Sequence, residues 1–367
     1  MENASVDFSR HTFSDNLDFR ELVFPHKANF NSVKIKNGQR VDFFGATFHS
    51  DASFVTVNFP ARADFREVEF RGDAIFRDST FVSIARFNSA RFFKTAGFRR
   101  VAFSDHAWFI GARFGGAAVF SEATFSKTAS FSETVFTGLA SFNWAESTGP
   151  FSLSEAEFGL VPDFSQMSFR APVRLDHLRV AQAARFQRIG DKERAASYRA
   201  LKKIAIESHD HLREQTFFAS EARERRGDDD PVGSPNWLFS FVYELLSDFG
   251  RSIARPIGWL ILSLLGFAAA TATYVPADVR DGCKWQSSWL LPEIYVSFLH
   301  SLPIVGFGRG EKRDQALICL FGTTGEMGAE KPNVSPAWDM LFIGQNIWSA
   351  ILIFLFLLAV RNHFRIK

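Results

Sequence analysis

Several things are scarce in this chain of 367 residues. It has two cysteines, and its 42 Lys+Arg nearly cancel its 40 Asp+Glu. Residues 1–190 are just as even, with 22 Lys+Arg against 20 Asp+Glu. That balance excludes the markedly basic surface that binding to nucleic acid requires. No phosphate loop, no G-x-S-x-G elbow and no metal-binding His/Cys cluster occurs. His209 and His211 lie two residues apart in a helical-type segment, so they fall on different faces and do not make a metal pair. No enzyme activity, cofactor or metal is expected. The N-terminus, Met1-Glu2-Asn3-Ala4-Ser5, shows no apolar signal segment, and the first half is expected to stay in the cytoplasm.

Phenylalanine is abundant, with 44 in all. From Phe43 to Phe142 it recurs in steps alternating between five and six residues, through Phe48, Phe54, Phe59, Phe65, Phe70, Phe76, Phe81, Phe87, Phe92, Phe98 and Phe103 and onward. The period is therefore eleven, as in ADFREVEFRGD and AIFRDSTFVSI. An eleven-residue repeat can signal a right-handed helical coil. At about 100° per residue, however, the two Phe of one unit lie about 140° apart, and no apolar stripe forms. Short extended pieces fit better. Ala63 and Phe65 are two apart and share a face, whereas Val68 and Phe70 have the opposite parity, so the chain must turn between the pairs. Extended pieces with a corner every five or six residues wind into a solenoid whose interior stacks Ala and Phe.

The pattern A-x-F-x-x-A-x-F-x-x-x resembles the Phe-rich pentapeptide-repeat proteins over residues 6 to about 189. The resemblance implies a right-handed, four-sided β-helix of about 22 residues per coil. The register starts at Phe8, Phe13, Phe19, Phe24, Phe30 and Ile35 and is reset by two extra residues near Gly38-Gln39-Arg40. It continues after Phe142 through Ser147, Leu153, Phe158, Phe164, Phe169, Leu175, Val180 and Phe186. Some members of that family mimic DNA through a strongly acidic face. The even charge here argues against that role.

Residues 191–226 are heavily charged, with Tyr198, Leu201, Ala205, Leu212 and Ala219 at helical spacing, and read as a helical cap or connector. Asp228–Pro235 reads as a loop. Trp237–Ala254 reads as a helix lying on the membrane surface. Residues 256–277 and 340–360 are uncharged stretches long enough to cross a hydrocarbon core about 30 Å thick. Arg251 and Arg255 precede the first and Arg361, Arg365 and Lys367 follow the second. The loop 278–339 carries six Lys+Arg against eight Asp+Glu. Both termini are therefore expected to be cytoplasmic. Cys283 and Cys319, both in that external loop, are a candidate disulfide in an oxidising periplasm.

Within the loop, Ile294–Gly308 carries no formal charge and is too short to span as a helix. Its end, Ile304-Val305-Gly306-Phe307-Gly308, is similar to the T-V-G-Y-G filter of potassium channels. That resemblance implies a short pore helix and a carbonyl-lined filter between two spans, in a tetramer. Pro303-Ile304 and Arg309 depart from the family pattern at both ends of the filter. Gln345 and Asn346 lie inside the second span, where polar residues hold helices together or line a pathway. His300 is the titrating group of the re-entrant segment.

The sequence thus reads as a β-solenoid (1–190), a helical linker (191–236) and a two-helix membrane module (237–367) in a bacterial inner membrane. The expected partners are the lipid bilayer, a cytoplasmic protein and further copies of the chain, four in the pore case. A scaffold is the first functional reading and an ion channel the alternative.

Overall fold

In the computed structural model, residues 5–228, 231–274, 291–301, 311–323 and 331–364 are described. The chain divides into two compact units, Met1–Ser234 and Pro235–Lys367.

The first unit is a β-solenoid. Its strands are two or three residues long and stack in four ladders, one per face. Two of the faces carry eight strands, which gives eight coils. The pairing is parallel with a register of one coil: Ala63 pairs with Val41 below and Ala85 above, and Phe70 with Phe48 and Phe92. Each coil donates to the next through the main chain, as from Phe65 N to Arg86 O at 2.7 Å and from Phe76 N to Gly97 O at 2.7 Å. Pieces this short satisfy their amides only by stacking, so the ladder is the source of their stability.

The alternation of five and six has a backbone cause. In the five-residue steps the corner residue takes a left-handed conformation, as at Glu67 (φ 59), Asp78 (φ 61) and Glu122 (φ 60). The six-residue steps turn without one, because the extra residue widens the corner; Arg71-Gly72-Asp73 is an example. Gly72 is required there for another reason. A Cβ on it would lie 2.3 Å from the Ser50 backbone in the coil below. The two extra residues before Val41 form a longer corner with Gly38 at φ 84. There the ladder of that face is interrupted, leaving a two-stranded piece (Thr12–Phe13 with Lys34–Ile35) apart from the six strands that follow.

Inside, Phe rings one coil apart stack face to face, for example Phe76–Phe98 at 4.9 Å and 1° and Phe92–Phe114 at 4.7 Å and 1°. Rings half a coil apart meet edge to face, as Phe87–Phe98 do at 5.3 Å and 86°. Every ring of the ladder from Phe43 to Phe103 is buried. Each contributes roughly 1.5–3 kcal/mol of burial, with aromatic geometry adding to it. Buried hydroxyls at the small-residue positions are satisfied: Ser79 Oγ donates to Phe54 O at 2.6 Å and Thr134 Oγ1 to Phe109 O at 2.8 Å.

The regular ladder stops before Phe186, which is 39 % exposed; the last strand is Arg179–Val180. Helices α1 (Lys192–Glu207) and α2 (His211–Glu224) follow. Asp191 caps α1 by accepting from Arg194 N, and this bond holds its carboxyl below the usual carboxylate range. Tyr198, Leu201, Ile204, Ala205 and Phe217 join the apolar cluster of the solenoid interior beside Val173 and Leu175. The two helices thus cover apolar surface at the end of the stack. Leu212, from the same sequence stripe, is 57 % exposed instead.

The second unit is helical: α3 (Pro235–Ser247), α4 (Ala254–Tyr274), α5 (Pro292–Ser301), α6 (Glu311–Phe321) and α7 (Pro336–Phe364). Helices α4 and α7, of 21 and 29 residues, are long and apolar enough to cross a membrane. The segment expected to be helical over 237–254 breaks at Ser247. Asp248 (φ 51), Phe249 (φ 57) and Gly250 (φ 77) are left-handed in succession, which no helix accommodates.

Candidate functional site

The outward positions of the solenoid alternate with the buried ones, so each coil offers one or two solvent-facing side chains per face. Ion pairs run between coils: Arg100 Nε to Asp78 Oδ1 at 2.6 Å, Arg99 Nη2 to Glu122 Oε1 at 2.8 Å and Arg91 Nη1 to Glu69 Oε1 at 3.1 Å. The Arg100 guanidinium holds Asp78 below the usual carboxylate range. Asp64 is an outward-face residue and yet buried, accepting from Arg66 Nε at 2.8 Å with Arg62 and Arg86 within 4.0 Å. These pairs offset local charge, in keeping with the even composition.

Two depressions flank the C-terminal coils. One, of about 560 Å³, lies between the coil containing Phe164–Phe169 and helix α1. Its floor includes Met167, Phe169, Ala200 and Ile204, with Arg199 and Lys203 also lining it. Arg199 donates to Glu221 at 2.9 Å, and Lys203 lies 3.8 Å from Glu207. Nearby, Tyr198 donates its hydroxyl to Ala181 O at 2.6 Å, and burial pushes its phenol up. The second depression is lined by Arg113, Glu133, Glu155, Glu157 and Arg179, a mixture of both signs. Among the described residues no group of His, Cys, Asp and Glu is arranged to hold a metal ion.

In the helical unit, α5 is joined to both long helices by hydrogen bonds. Ser297 Oγ donates to Leu264 O of α4 at 2.8 Å. Gln345 of α7 donates through Nε2 to Ser297 O at 2.9 Å and to Ser301 Oγ at 2.9 Å. Asn346 Nδ2 lies 3.2 Å from His300 Nδ1, and the His300 ring stacks on Phe342 at 4.3 Å. Gln345 is fully buried; Asn346 is half-buried and also donates to Phe342 O. Gln345 Oε1 and Ser349 Oγ are buried with no hydrogen-bond partner among the described residues. At the other end, Asn362 Nδ2 donates to Gly250 O at 3.3 Å, tying α7 to the bend between α3 and α4.

Of the residues singled out from the sequence, the Phe ladder lies in the interior and Gln345 and Asn346 lie against α5. Ile304, Val305, Gly306, Phe307 and Gly308 fall outside the described residues, as does Cys283. Cys319 is buried in α6. Sequence reasoning missed Ser297 and Ser301, although two serines four apart in the uncharged stretch IYVSFLHS put two hydroxyls on one helical face. It also missed Trp144, an outward residue at a left-handed corner. The sign was there: Trp occupies a corner position that other units fill with polar residues.

Compared with known families, residues 98–146 match the model of pentapeptide repeats (9 copies). No curated protein and no solved structure matches the chain.

Proposed function

We propose that this protein is a non-catalytic scaffold, anchored by two membrane helices, whose solenoid presents a rigid recognition surface on the cytoplasmic side. The observation that carries the reading is the division of labour within each coil. Inward positions repeat as Ala and Phe, whereas the outward positions on the same strands change along the stack: Glu69, Arg91, Arg113 and Val135 lie in register along one face, none of them buried. A surface that varies over an invariant core suits recognition of another macromolecule better than it suits chemistry. Two helices of spanning length supply the anchor, and α3, with Leu238 and Phe239 exposed, suits the membrane surface. The basic residues Arg251, Arg255 and Arg361 next to the spans favour a cytoplasmic location for both termini.

The test is photo-crosslinking in intact cells from outward positions such as Phe93, Val82 and Leu139, each exposed. Discrete adducts confined to neighbouring positions on one face are expected. Absence of adducts from every face would overturn the reading.

A second reading, an oligomeric pore, draws on α5. This ten-residue helix is too short to span, and it is bonded between the two long helices as a pore helix would be. In it, Ile304–Gly308 line the conduction path and Cys283 and Cys319 close the external loop. Currents in planar bilayers that vanish when Gly306 and Gly308 are replaced would support it. Silent bilayers with intact protein would count against it.

A further inference from the structure

Trp144 stands apart from the residues stacked with it. The corner after the first face holds eight left-handed residues in register, from Arg10 to Gln166, and the other seven are all polar. Trp144 (φ 59) is 66 % exposed. A bulky side chain in the left-handed region strains the backbone, and an exposed indole recovers nothing through burial. Among the described residues, nothing in the packing accounts for a Trp at that place.

One coil further lies the complement. Trp144 N donates to Ser165 O at 3.0 Å, and Ser165 and Gln166 belong to the coil that, with α1, encloses the cleft of about 560 Å³. The cleft has an apolar floor of Met167, Phe169, Ala200 and Ile204. Arg199 and Lys203 also line it, paired with Glu221 and Glu207, their side chains 59 % and 76 % exposed. An apolar slot bordered by cations is the environment an indole ring prefers, because burial and cation–π attraction act together.

We infer that the solenoid pairs with a second copy of itself, the Trp144 of each copy filling the cleft of the other. Projection and cleft sit about one strand spacing apart on the same corner, so a single two-fold axis passing between them can bring each projection to the other copy's cleft. In such a contact residue i meets j while j meets i, so one axis seats both indoles. A buried Trp is the kind of side chain that dominates an interface energetically.

The experiment uses the full-length protein in detergent, with its mass measured by light scattering corrected for bound detergent. Trp144→Ala is expected to halve the mass of the wild-type assembly, and Trp144→Phe to retain it. Ala200→Trp, which fills the cleft from within, is expected to halve it as well. In a Cys283→Ser/Cys319→Ser background, a chain carrying Trp144→Cys mixed with one carrying Ala200→Cys is expected to be linked between unlike chains by a short bismaleimide, which spans the gap left by the indole while the other seat keeps its Trp144. Wild-type protein that is monomeric throughout, or a mass unchanged in both Trp144→Ala and Ala200→Trp with no cross-link, would overturn the inference. Either result leaves the scaffold reading standing, since a solitary solenoid still presents its faces.

Discussion

Ser147 and Phe151 have exchanged sizes. Ser147 pairs in register with Phe125 and Phe169, so it occupies a ring position, whereas Phe151 pairs with Ala129 and Val173 and occupies a small-residue position. Both are buried, and the Phe151 ring lies 5.7 Å from Phe125 and 5.4 Å from Phe169, in the space the missing ring would otherwise hold. The Ser147 hydroxyl is satisfied by Gly149 O at 3.0 Å.

This exchange predicts strong coupling. Phe151→Ala alone opens a cavity and is expected to cost about 3–5 kcal/mol. Ser147→Phe alone overpacks the coil, at a cost of about 1–3 kcal/mol. The double variant restores the regular ladder and is expected to lose much less than the sum. A denaturant double-mutant cycle reads the coupling, and simple additivity would show that the two sites are independent.

The corners predict opposite effects of glycine at two kinds of position. Thr56, β-branched and left-handed at φ 58, is strained, so Thr56→Gly is expected to leave the melting temperature unchanged or raise it. Gly72→Ala puts a Cβ against the Ser50 backbone and is expected to lower it. Thermal melts followed by circular dichroism decide both.

Acid is expected to loosen the stack in part through Asp78. Its carboxyl is held below its ordinary value by the hydrogen bond from Arg100, so the folded state favours the ionised form. The stabilisation is present above the ordinary carboxylate pKa of about 4 and is lost as the pH falls through the lowered value. Asp78→Asn is expected to flatten that part of the stability–pH profile and to change little at a pH of about 3. An unaltered profile would assign the acid sensitivity to other groups.

In the helical unit, Gln345→Leu removes the donor that joins α7 to Ser297 and Ser301. A loss of about 1–2 kcal/mol is expected, read as a lower melting temperature in detergent. Ser349→Ala is expected to be neutral or stabilising, because its buried hydroxyl has no partner among the described residues.

The solenoid was legible because each coil repeats one local rule. A single Phe position fixes strand, face and corner, and nineteen of them in step leave one architecture. The same regularity hid the exceptions. Ser147 looked like a weak ring position and Leu153 like an ordinary continuation, and nothing local showed that Phe151 reaches across to fill the gap. The break at Asp248–Gly250 was likewise invisible, since WLFSFVYELLSDFGRSIA keeps helical periodicity through residues whose backbone turns left-handed. The cleft beside α1 depends on how the cap meets the last coil, a tertiary arrangement that no repeat encodes. The even charge was legible, but its pairing across coils, Asp78 with Arg100 and Glu69 with Arg91, required the one-coil register of the ladders.

The central claim is that a self-sufficient solenoid is held at a membrane by the helical unit. The most direct measurement places a specific protease site between Gly233 and Ser234, cleaves it in isolated membranes and sediments them. The account predicts that residues 1–233 move to the supernatant as a β-rich fragment with cooperative melting, while the remainder stays in the pellet and resists carbonate extraction. A solenoid that stays with the membrane after cleavage, or a helical unit that carbonate strips away, would contradict it.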